Sequence, residues 1–219
     1  MLKAVLFDMD GVIVDTEPLH YKAYYAMFKD FNLEVTDEMY QAFTGKSTIN
    51  ICKNLCAYFN LEADPKELVE RKRFHFKDLF FNDPSLTLIS GVLDLIKDYY
   101  NNGLTLVLAS SASMTTINNV FTKFDLDQYF VAKLSGADLK ASKPHPEIFI
   151  NAAEASGFDR SECIVIEDST NGIKAAYDAG IYCIGYDSFH SKNQDYSLAN
   201  KVVSDFKEIH YNKIQHLFL

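Results

Sequence analysis

Apolar residues follow two rhythms along this chain. Short, nearly continuous apolar runs occupy residues 2–7, 105–109, 130–134, 163–166 and 181–185, with Val202-Val203 as a further edge. Runs of this length without polar alternation predict strands buried on both faces. Between them the period changes to that of a helix. Val92, Leu95, Ile96 and Tyr99 share one face of residues 92–100, and residues 148–155 and 173–179 repeat the pattern. Strands alternating with helices predict an α/β fold: a doubly wound, Rossmann-like parallel sheet with helices on both sides. Such sheets bind ligands at the carboxyl ends of their strands.

Residues 16–86 break this rhythm. They contain no clear strand and read as helices at 19–31, 37–43, 48–59 and 65–80, separated by Thr44-Gly45-Lys46-Ser47 and Glu62-Ala63-Asp64-Pro65. The expected organisation is an α/β core of residues 1–14 and 87–219, with a helical cap of residues 15–86 inserted after the first strand. Hinges are expected at 14–17 and 81–90, the latter holding Pro84.

The 219 residues are 48% apolar and 23% charged, an ordinary balance for a globular chain. A net charge of −9 argues against a nucleic-acid partner. No apolar run approaches bilayer length and no leader-like segment opens the chain. The expectations are therefore a cytoplasmic monomer without membrane contact. Cys52, Cys56, Cys163 and Cys183 show no metal-binding or redox spacing and are expected to be buried or partly buried free thiols.

Chemistry enters at the strand ends. The first strand stops at Asp8-Met9-Asp10-Gly11. Two like charges at about 5 Å repel by roughly 3 kcal/mol at an effective dielectric near 20, so they imply a cation or a catalytic use. Ser110 and Ser111 end the second run. Their hydroxyls and amides suit a phosphate oxygen, or equally a helix N-cap. Lys143, held by Pro144 in Ser142-Lys143-Pro144-His145-Pro146, offers a cation to the carboxylates, with His145 at the edge. Glu167-Asp168 closes another strand. Asp8, Asp10 and Asp168 would form an oxygen-rich group suited to Mg²⁺.

In order and spacing these four motifs resemble the haloacid dehalogenase superfamily. Asp15-Thr16-Glu17-Pro18-Leu19-His20 and Glu167-Asp168-Ser169-Thr170-Asn171-Gly172-Ile173 resemble its β-phosphoglucomutase-like branch. The resemblance implies that Asp8 is the nucleophile, Asp10 the acid/base and Lys143 the balancing cation. It implies Ser110 and Ser111 as phosphate donors. It also implies Mg²⁺ held by Asp8, the Asp10 carbonyl and Asp168, with Glu167 behind them. An aspartate at position 10 fits phosphatases and mutases rather than dehalogenases.

The cap chooses between those two activities. His20 and Lys72 match the mutase's sugar-phosphate residues. The arginine expected after the Gly45 loop is replaced by Thr48, for which Lys46 is a partial substitute. The expectation is a Mg²⁺-dependent phosphatase acting on a small phosphorylated metabolite, a sugar phosphate, with β-phosphoglucomutase as the alternative.

Overall fold

The computed structural model describes residues 1–43, 48–188, 191 and 193–218. The chain divides into two compact units, Met1–Asp15 with Thr87–Leu219, and Thr16–Leu86.

The first unit is built on six parallel strands: β1 (Ala4–Phe7), β2 (Thr105–Ser110), β3 (Phe130–Ser135), β4 (Cys163–Glu167), β5 (Tyr182–Tyr186) and β6 (Lys201–Val203). Their spatial order is β3-β2-β1-β4-β5-β6. The order reverses between β1 and β4, which makes their carboxyl ends the natural ligand crevice. Helices are numbered along the whole chain. Here they are α5 (Val92–Asn101), α6 (Met114–Phe124), α7 (Glu147–Ser156), α8 (Thr170–Asp178) and the short α9 (Tyr211–Ile214).

Alternate residues of the central strands supply two cores. Ala4, Leu6, Val107, Ala109, Val165 and Cys183 pack with Ile148, Phe149 and Ala152 of α7 and Ile173 and Ala176 of α8. On the opposite face Phe7 meets Tyr99 of α5 at 6.2 Å between ring centres and Phe130 at 5.7 Å. Burial of both faces explains the unbroken apolar runs. The α6 helix was absent from the sequence expectation. Its threonines and asparagines are weak helix formers, and burial of Ile117, Val120 and Phe121 overrides them. Ser113 caps it by accepting from Thr116 N.

The second unit holds α1 (Glu17–Asp30), α2 (Asp37–Gln41), α3 (Thr48–Phe59) and α4 (Pro65–Asn82). Thr36 and Asp64 cap α2 and α4 with their side-chain oxygens. Tyr24, Met27, Phe28, Ile51, Leu55 and Leu68 form its own core. The α2 helix ends at Gln41, short of the expected residue 43. Cys52, Cys163 and Cys183 are buried and Cys56 is partly so; all four are free thiols. Among the described residues no helix is long and apolar enough to cross a membrane.

The C-terminal segment is tied to α5 by the buried Tyr99 hydroxyl, which donates to Ile209 O at 2.5 Å. Tyr99→Phe strands that carbonyl, and urea unfolding should show a loss of about 1–2 kcal/mol. An unchanged midpoint would show that this hydroxyl does not hold the segment.

Candidate active site

Register brings the chemistry together. Phe7 pairs with Leu108 on one side and Ile166 on the other. The next row along the sheet therefore holds Ala109, Asp8 and Glu167. Lys143 reaches across this row. Its Nζ donates to Asp8 Oδ1 at 2.5 Å, Glu167 Oε1 at 2.8 Å and Ala109 O at 3.0 Å. All three ammonium donors are thus satisfied, and the side chain is only 5% exposed. The Lys143–Pro144 peptide is cis. Nζ also lies 4.7 Å from the centre of the Phe149 ring.

Electrostatics follow from this burial. Desolvation lowers the tendency of Lys143 to stay protonated, but Asp8 and Glu167 outweigh it and raise its pKa. Burial raises the pKa of Asp8, Lys143 opposes the rise, and Glu167 and Asp168 reinforce it. Burial, with the Glu167 charge, pushes Asp168 up to about 7, against a contact from Ser191 Oγ to Asp168 Oδ2. Among the described residues, Asp8, Glu167 and Asp168 thus share the ammonium of Lys143, and the remaining negative charge is what a further cation would neutralise.

The donor set fits a hard divalent ion. Asp8 and Asp168 supply carboxylate oxygens at the ends of adjacent strands, and Asp10 follows on the turn where Gly11 N donates to Val14 O at 2.8 Å. Among the described residues no group of three His, Cys, Asp or Glu side chains forms a ready-made metal cage. Mg²⁺ takes only one or two protein carboxylates and completes its shell with water and phosphate. Glu167, expected behind the metal donors, has both oxygens engaged: Oε1 by Lys143, and Oε2 by Ser169 N at 2.7 Å and Ser169 Oγ at 2.9 Å.

Ser110 ends β2 and is buried. Its Oγ accepts from Ala112 N at 3.1 Å, leaving the hydroxyl hydrogen to donate elsewhere. The helix cap is Ser113, not Ser110. Ser135 Oγ donates to Ala112 O at 2.8 Å and fixes the same turn from β3. Ser111 is exposed, as is His145, whose Nδ1 accepts from Glu147 N.

In the helical unit His20 and Lys72 meet. Lys72 Nζ lies 2.6 Å from His20 Nδ1, so the ammonium donates and the ring proton sits on Nε2. Lys72 is 5% exposed, lies over Tyr24 and Phe76, and His20 stacks on Phe76. Desolvation lowers Lys72 to about 8. Desolvation and the Lys72 charge lower His20 to about 3. Lys46 lies outside the described residues.

Two glycines shape the site, and sequence reasoning missed what they do. A Cβ on Gly11, whose φ is +87°, would overlap the Asp168 carboxylate; one on Gly172 would overlap the Glu167 carboxylate. A glycine inside the helical pattern of α8 was the available signal. Alanine for glycine in a helix ordinarily stabilises by about 1 kcal/mol. Gly172→Ala should instead destabilise by about 1–3 kcal/mol in urea unfolding, because Glu167 must move. A gain would refute this packing.

The His20 shift sets a pH response. Below pH 6.5 the unfolded chain binds a proton that folded His20 refuses until about pH 3, so stability falls with pH across this window. The Lys72 response lies between about 8 and 10.5 and does not overlap it. From pH 6.5 to 4 the wild type should lose up to about 1.4 kcal/mol per pH unit more than His20→Gln. Parallel stability curves would contradict the assignment.

The chain matches the haloacid dehalogenase-like hydrolase family over residues 5–186. It is 30% identical to a phosphorylated carbohydrates phosphatase of Thermotoga maritima, covering 90% of each chain. It is 27% identical to hexitol phosphatase B of Escherichia coli, covering 94% of this chain and 93% of that one. It is also 27% identical to β-phosphoglucomutase of Bacillus subtilis, over 84% and 83%. The crystal structure of β-phosphoglucomutase from Clostridium difficile superposes with a TM-score of 0.77 at 26% identity, covering 100% of this chain and 97% of that one. The chain belongs to the haloacid dehalogenase-like hydrolases and is a β-phosphoglucomutase-like phosphoric monoester hydrolase.

Proposed function

We propose that this chain is a Mg²⁺-dependent phosphatase that hydrolyses a sugar phosphate through an aspartyl-phosphate on Asp8. The observation that carries the reading is the buried Asp8 carboxylate, fixed by Lys143 beside Asp168 where the strand order reverses.

An Asp8 oxygen attacks phosphorus as the bond from phosphorus to the sugar oxygen breaks. Asp10 gives its proton to that leaving oxygen. The Asp10 carboxylate then takes a proton from water, whose oxygen attacks phosphorus and breaks the bond to Asp8. Ser110 Oγ and the Ser111 amide donate to the phosphoryl oxygens. Lys143 neutralises Asp8 before the attack and the phosphate after it. Asp8, Asp168 and the Asp10 carbonyl would hold Mg²⁺, which supplies charge neutralisation at the phosphoryl group. Glu167 orients Lys143 and Ser169 rather than binding metal, because its oxygens already accept from both.

Support for sugar phosphates comes from relatives named as a phosphorylated carbohydrates phosphatase and a hexitol phosphatase. The mutase alternative draws on the β-phosphoglucomutase relative. Two features weigh against it. Thr48 lacks a guanidinium's bidentate grip, and Lys72 is buried against His20 and two aromatic rings rather than presented as an open phosphate anchor.

Phosphate release should be screened with Mg²⁺ against sugar phosphates, nucleotides and pyrophosphate. Sugar phosphates are expected to turn over best, and Asp10→Asn should cost about 10²–10⁴-fold in kcat. No turnover of any substrate would end the proposal. Conversion of β-glucose 1-phosphate to glucose 6-phosphate, primed by a bisphosphate, would move the assignment to the mutase.

A further inference from the structure

The segment between β5 and β6 reaches back to the turn that carries Asp168. Gln194 Oε1 accepts two hydrogen bonds from one residue, Thr170 N at 2.8 Å and Thr170 Oγ1 at 2.9 Å. Asp195 N in turn donates to Thr170 Oγ1 at 2.8 Å. The chemistry fixes the amide orientation. Thr170 N is a donor only, and Thr170 Oγ1, already accepting from Asp195, has its hydrogen to give. An amide nitrogen in place of Oε1 would set donor against donor.

This contact sits where it controls geometry. Thr170 is the first residue of α8, two residues after Asp168, and its N–H is one of the helix's unpaired donors. Ser169 caps the helix from within, accepting from Gly172 N at 3.1 Å. Gln194 adds a cap from outside the element. The far end of the strap is anchored too. Tyr196 and Ala199 pack against the core beneath α7 and α8, and the Tyr196 hydroxyl donates to Tyr186 O at 3.3 Å. Gly185 makes room for them, since a Cβ there would lie 2.8 Å from the Tyr196 ring. The path runs from β5 through Tyr196 and Gln194 to Thr170 and so to Asp168, which Ser191 of the same segment also contacts.

We infer that Gln194 is a positioning residue for the metal site: by capping Thr170 it holds the β4–α8 turn so that Asp168 is oriented before a divalent cation arrives. This rests on the reading that Asp168 is a metal donor. Residues behind a ligand commonly change metal affinity by about 10–100-fold. Gln194 acts through the backbone of the turn, so the lower end of that range applies.

The test is Mg²⁺ titration by calorimetry on the full chain, which needs no turnover. Gln194→Ala should raise the Mg²⁺ Kd about tenfold. Thr170→Val, which keeps the backbone N–H bond to Gln194 Oε1 and loses only the hydroxyl bond, should raise it by less than that but by more than about twofold. Thr170→Ser, which keeps the hydroxyl, should bind as the wild type does. The double variant should bind about as Gln194→Ala does, because that variant already removes both bonds between the two residues. With saturating Mg²⁺, kcat of Gln194→Ala should stay within about threefold of wild type, since the residue touches no reacting group. Should Gln194→Ala fail to fold, Thr170→Val removes the hydroxyl contact from the other side. A Kd within about twofold of wild type for the folded variants would overturn the role of Gln194, as would a wild type that binds no Mg²⁺. A wild type that binds Mg²⁺ but hydrolyses no phosphate ester would defeat the phosphatase reading alone and leave the affinity comparison valid.

Discussion

One ammonium group holds the site together. Lys143 donates to side chains or carbonyls at the ends of β1, β2 and β4, which the sheet alone would leave as three separate strand tips. A buried ammonium without partners would lose its proton, and a buried carboxylate pair without a cation would gain one. Each stabilises the charged form of the other only because the parallel register puts Ala109, Asp8 and Glu167 on one row. The balance is incomplete by design of the donor set, for Asp168 adds a carboxylate that Lys143 does not contact. That residual charge is the physical reason the proposed chemistry calls for a divalent cation.

The second constraint is space. Two carboxylates reach the strand ends through volume that Gly11 and Gly172 leave empty. A serine hydroxyl from a different strand secures the turn after Ser110, and a glutamine from a distant loop secures the turn after Asp168. Each turn is therefore held by a side chain from outside itself.

What could be read from the sequence divides along the same line. Asp8, Ser110 and Asp168 were legible because each follows an apolar run whose strand character is a local property. The inserted helices were legible for the same reason. Lys143 was legible as a cation beside prolines, though not as a three-way donor, since its acceptors come from residues far apart in the chain. The α6 helix was not legible, because packing rather than propensity forms it. Glu167 was placed by resemblance behind the metal donors, and the structure adds that Lys143 and Ser169 occupy its oxygens. Gln194 carries no motif at all. Its role exists only once β5 has turned the chain back over the start of α8.

The pairing of residue 7 with residue 166 has a consequence for how the protein is made. Asp8 leaves the ribosome long before Asp168 does. The two central strands must close a loop that contains the entire Thr16–Leu86 unit, β2, β3 and α7. Such non-local closure is slow relative to helix formation, so the helical unit can acquire its own core during synthesis, while β1 waits. Throughout that wait β1 can pair with β2 on one side only, and the site is unfinished. Glu167 and Asp168 join Asp8 only when β4 arrives, so a fragment that stops before β4 lacks both of these carboxylates.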